Sequence, residues 1–155
     1  GCTYDLGVYS TSLTLAMMDE EPKNIKASAV FSEEKVDKLT SVVMEFAGGK
    51  KAAFTCGMTL ATEQDRRLDR LEIDGTKGSI TGTRFAFNGD GELSYTICTA
   101  DGREEVKTIE VPQNYRLEAE QFGRCITEGE MPAVTEEFSV KNARIVDRIL
   151  KEIGY

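Results

Sequence analysis

Apolar and polar positions alternate along the middle of the chain and recur at helical spacing towards both ends. Residues 25–31 alternate loosely, 39–46 read as a strand, and Gly48-Gly49 signals a hairpin turn into a strand over 51–58. Val42, Met44 and Phe46, with Ala52, Phe54 and Cys56, then fall on one face of an antiparallel pair. Residues 59–68 are polar and charged and read as a longer loop. Short strands over 71–73 and 79–82 flank the Gly75-Thr76-Lys77-Gly78 turn. Further strand patterns cover 84–87, the segment through Leu93, Tyr95 and Ile97, and 106–111, separated by turns at 88–91 and at Asp101-Gly102. Helical spacing predicts one helix from the opening residues to about Met18 and two more over 115–128 and 136–153. Short turns between strands imply antiparallel pairing. The expected class is α+β: a mostly antiparallel open sheet with helices packed on one face, residues 1–155 forming a single domain.

Composition narrows the function classes. The chain has 155 residues, 40% of them hydrophobic and 30% charged, which suits an ordinary folded domain. A net charge of -8 and a pI near 4.7 argue against a nucleic-acid surface. The one basic knot, Arg66, Arg67 and Arg70, is interleaved with Asp65 and Asp69 and reads as a solvated turn. No apolar run reaches the length of a membrane span, and no secretory signal pattern is present. Cys2, Cys56, Cys98 and Cys125 are widely spread without a C-x-x-C pair, and there is no histidine. No metal is expected, and the thiols read as buried or half-buried groups in a reducing cytoplasm. The missing histidine also excludes Ser-His-Asp and Cys-His nucleophile systems within the chain. Gly75-Thr76-Lys77-Gly78-Ser79 is no phosphate loop, because the order is Lys-Gly-Ser and a strand pattern follows.

Candidate chemistry sits at the start. Asp5 and Tyr9 lie four residues apart and would share one face of a helix. The carboxylate can accept from hydroxyl groups, and the phenol can give or take a proton when a neighbouring cation lowers its pKa. Two plainer roles stand beside this: Asp5 as complement to the helix dipole, and Tyr9 as a core aromatic.

Asp5-Leu6-Gly7-Val8-Tyr9 resembles the D-x-G-x-Y/H element that opens a helix in the substrate domain of the Gfo/Idh/MocA oxidoreductases. Leu71 to Ile80 is similar to that family's I-x-G-T-x-G-x-I strand–turn–strand pattern. The run from Tyr115, through Glu118, Phe122 and Ile126, to Gly129 and Pro132 resembles its Y-x-x-E-x-x-x-F-x-x-x-I-x-x-G-x-x-P helix, and Asn142 to Asp147 looks like the last helix of the domain. The blocks occur in family order over nearly the whole chain. Tyr9 at the Y/H position is similar to the branch acting on sugars and dihydrodiols.

The resemblance implies a C-terminal substrate and oligomerisation domain of an NAD- or NADP-dependent dehydrogenase acting on a sugar, polyol or dihydrodiol. It implies Tyr9 and Asp5 as catalytic and substrate-binding residues, with Tyr115 as a further substrate contact. Tyr115 also reads as a helix-start aromatic, and Glu118 as a capping or dipole-complementing group. A homo-oligomer through the open sheet face is implied as well. The family's cofactor half carries a Gly-rich turn and an E-K-P lysine. Neither is found in these residues, so the N-terminal Rossmann domain is expected to lie outside this chain, leaving it inactive alone. The alternative from another class is a stand-alone or catalytically lost sugar-binding or dimerisation module.

Overall fold

The computed structural model describes residues 1–58, 70–82 and 91–155. The loop expected at 59–68, with Arg66 and Arg67, and the strand expected at 84–87 lie outside the described residues, as does most of the turn expected at 88–91. Gly1–Arg67 with Val134–Tyr155 form one compact unit, and Leu68–Ala133 form a second. Among the described residues the architecture is α+β and every strand pairing is antiparallel, as expected.

In the first unit a π-helical turn, Thr3–Gly7, leads into α1, Val8–Met18. Three strands follow, β1 (Asn24–Phe31), β2 (Asp37–Glu45) and β3 (Lys51–Gly57), in the spatial order β1-β2-β3. The expected turn between β2 and β3 is present, with Gly48 and Gly49 both at positive φ. Opposite pairs Val42↔Phe54 and Met44↔Ala52 put the predicted apolar set on one face. Val42, Met44 and Phe46 are buried there with Leu15 of α1 and with Ile145 and Ile149 of the last helix. That helix spans Glu136–Ile153. Thr135 starts it by accepting the Phe138 N–H on its hydroxyl (3.1 Å), and Gly154 ends it in the left-handed conformation. The helices thus cover one face of this sheet.

The second unit holds β4 (Leu71–Gly75), β5 (Gly78–Gly82), β6 (Gly91–Thr99) and β7 (Glu104–Val111), hydrogen-bonded in that order. The helix α2, Asn114–Thr127, follows them, so the helix over 136–153 is α3. Thr76-Lys77 closes the β4–β5 hairpin. Gly78 adopts φ 145°, and a Cβ there would stand 2.1 Å from the Cys98 carbonyl oxygen, so only glycine fits. Every fully buried apolar side chain among the described residues belongs to the first unit.

Met44 is wholly buried at the centre of that core. Met44→Ala is therefore expected to lower unfolding free energy by about 2–5 kcal/mol, read from a shift in the chemical-denaturation midpoint.

Candidate functional site

The opening turn is bound to the sheet by buried polar groups. Asp37, at the head of β2, is fully buried. Its Oδ2 accepts the Thr3 amide N–H at 2.7 Å and the Thr40 hydroxyl at 3.2 Å, with the Cys2 thiol also at 3.2 Å. The Thr3 hydroxyl donates to that of Thr40 (2.9 Å), so both polar groups of Thr3 lead to one carboxylate. On the other side Oδ1 lies 3.2 Å from the Tyr155 hydroxyl and 3.6 Å from the Gly1 nitrogen. The Tyr155 oxygen accepts the Asp37 amide N–H (3.2 Å) and stands 3.0 Å from the Lys35 carbonyl. A carboxylate from a distant strand therefore caps the first turn of the chain, where the orphan N–H groups and the helix dipole favour negative charge.

Burial by itself would push the Asp37 carboxyl up. The Thr3 amide and hydroxyl and the Cys2 thiol outweigh it and hold the carboxyl well below the usual carboxylate range. Cys56 goes the other way: burial and then the adjacent Cys2 push its thiol up to about 12. Burial also raises Cys2. Neither is a thiolate at neutral pH, which leaves both as packing groups.

Gly7 is buried against β3. A Cβ at this position would meet Cys56 Sγ at 3.2 Å and Thr3 Cγ2 at 3.7 Å. The close approach that this glycine permits is thus between the opening turn and the sheet. Just beyond it, the Asn142 side chain of α3 donates to the Val8 carbonyl (3.3 Å).

Between these anchors the predicted site residues point outward. Asp5 is exposed on the π-helical turn, and Tyr9 is 47% exposed in the first turn of α1. The core role open to Tyr9 does not hold, because its ring lies at the surface. The two residues do not sit on one uniform α-helix. Pairing of i with i+5 widens the turn at Asp5, so the junction between π and α sets their relative direction. Tyr115, exposed, is in the first turn of α2 in the second unit. Arg70 pairs with Glu72 at 2.9 Å on the surface. Among the described residues no group of three His, Cys, Asp or Glu could hold a metal ion, and no helix is long and apolar enough to cross a membrane.

A family model for the GFO/IDH/MocA C-terminal domain matches residues 1–81, which include the opening turn, the first sheet and the β4–β5 hairpin. The chain belongs to the Gfo/Idh/MocA family. Relatives of this Gfo/Idh/MocA domain include D-xylose 1-dehydrogenase (NADP(+)) 2 of Haloferax volcanii, 29% identical over 96% of the chain and 44% of the relative. Trans-1,2-dihydrobenzene-1,2-diol dehydrogenase of Xenopus laevis is 26% identical over 99% of the chain and 47% of the relative. The chain thus spans about half the length of the curated relatives it matches. In fold it is similar to KijD10, a 3-ketoreductase from Actinomadura kijaniata solved in complex with TDP-benzene and NADP, with a TM-score of 0.86 at 19% identity, covering 99% of this chain and 47% of that one.

Sequence reading of the Gfo/Idh/MocA domain missed Asp37. Counting outward from the buried Thr40, strict alternation turns Lys38 inward and Asp37 outward. The pairing jumps from Val30↔Leu39 to Phe31↔Asp37, so Lys38 is an extra residue on β2. This bulge reverses the parity and swings Asp37 into the interior. Nothing in the apolar pattern signals it.

Two outcomes test this arrangement. The Asp37 carboxyl is depressed in the folded state, so its contribution is fully present above the ordinary Asp range of about pH 4 and is lost as pH falls below it. Unfolding free energy measured against pH should fall across that window, and Asp37→Asn should flatten the fall. Gly7→Val is expected to cost about 1–3 kcal/mol by overpacking against Cys56, measured by denaturant unfolding.

Proposed function

We propose that this chain is the substrate-holding half of an NAD(P)-dependent oxidoreductase that acts on a hydroxyl-bearing carbon of a sugar, polyol or dihydrodiol. The observation that carries this reading is the exposed pair Asp5 and Tyr9 on an opening turn held from below at Thr3 and Gly7. Single π-helical turns occur frequently at functional sites, and the family match covers this one. The names of the xylose and dihydrodiol dehydrogenases support the substrate class.

Among the described residues, the glycine-rich turn does not fit a dinucleotide. The Gly75-Thr76-Lys77-Gly78 turn is a β-hairpin with a strand after it, so it offers no helix N-terminus to a pyrophosphate. The cofactor is therefore assigned to a part of the protein outside this chain, which alone is inactive in this reading. What the chain contributes is positioning and proton handling. Tyr9 Oη gives or takes the proton of the reacting hydroxyl, and the Asp5 carboxylate accepts from a substrate hydroxyl and orients it. Tyr115 is a further substrate contact. The outward face of β1–β3, where Val43 is 47% exposed, is the surface for a second copy. The four free cysteines favour a reducing, cytoplasmic setting.

The full-length protein should reduce NAD or NADP in the presence of xylose, other sugars, polyols or a dihydrodiol. Tyr9→Phe should lower kcat by about 10²–10⁴-fold with the fold unchanged. An unaltered rate in that variant removes Tyr9 from the chemistry. Sugar binding without turnover in the unmodified protein would make it a ligand-binding module instead.

A further inference from the structure

We propose that Asp37 is a positioning residue for the Asp5–Tyr9 pair, fixing the π-helical turn against the sheet from β2. The proposal rests on the reading of that pair as the reactive site. A fully buried carboxylate is costly, and among the described residues no lysine or arginine lies within ion-pair distance of Asp37. For stability alone, well-packed apolar groups commonly do as well or better than buried charge. The contacts of this carboxylate point to a different role.

Oδ2 accepts the Thr3 N–H, two residues before Asp5, and receives the Thr3 hydroxyl indirectly through Thr40. The other anchors follow in sequence: Gly7 against Cys56, two residues after Asp5, and the Asn142 amide on the Val8 carbonyl, one residue before Tyr9. Exposed and anchored residues therefore interleave, the exposed ones being Tyr4, Asp5 and Tyr9. The Asp37 anchor is itself braced from elsewhere. The Tyr155 hydroxyl holds its backbone N–H and its Oδ1, while the Tyr155 ring packs at 5.6 Å on Phe31 across the bulge. Asp37 thus fixes the start of the turn in both distance and direction. A shift of about 1 Å in a reacting group can cost about 10²-fold in rate, so loss of this anchor should appear in turnover more than in binding.

The test is made in the full-length protein, with kcat and KM measured for Asp37→Leu, Asp37→Asn, Tyr9→Phe and the core control Met44→Ala, at a temperature where each is folded. Asp37→Leu should lower kcat about 100-fold with KM changed less than about threefold. Asp37→Asn keeps an oxygen for the Thr3 N–H and should recover part of that loss, leaving kcat about tenfold below the unmodified protein. Met44→Ala, destabilised in the core, should leave kcat within about twofold, because core packing does not aim Asp5 or Tyr9. If Asp37→Leu does not fold, Asp37→Asn decides alone: a fall of about tenfold in kcat at nearly constant KM supports the proposal, and an unchanged kcat overturns it. A slowed Tyr9→Phe beside an unaffected Asp37→Leu also overturns it, while the reading of the site survives. An unaffected Tyr9→Phe removes that reading itself.

Discussion

The first unit depends on one buried carboxylate. Asp37 lies where the opening turn, the head of β2 and Tyr155 meet, and its oxygens accept from all three. In a water-excluded setting each of these charge-assisted bonds is strong, and an unpaired oxygen would be expensive. The three segments are therefore fixed relative to one another or none of them is. That coupling holds the opening turn in a defined π-helical form.

Packing completes what the hydrogen bonds begin. The apolar set of Leu15, Val42, Met44, Phe46, Ile145 and Ile149 fastens α1 and α3 to the first sheet. Gly7 lets the opening turn descend until it touches Cys56. The thiols at Cys2 and Cys56 stay protonated because burial raises them, so they fill space beside a carboxylate without adding a second negative charge. The result is a packed floor under the exposed Asp5 and Tyr9.

The second unit is built differently. Its four strands form a regular antiparallel ladder, yet Val106, Ile109, Phe122 and Ile126 remain well exposed. The chain covers about half the length of its relatives.

The sequence by itself determined the element order, the antiparallel pairing, the inward set on β2 and β3, the hairpin at Gly75–Gly78 and the family. Each is carried by local spacing: period two for strands, helical period at the ends, glycine where φ must be positive. It also singled out Asp5 and Tyr9 through a short motif. Tertiary structure alone decided the division into two units, the π-helical form of the opening turn and the burial of Asp37. These depend on contacts between residues more than thirty positions apart, such as Thr3 with Asp37 and Asp37 with Tyr155. They depend also on a single extra residue, Lys38, that inverts the facing of its strand. Alternation read along one strand cannot register a bulge, because the bulge exists only in the pairing with the next.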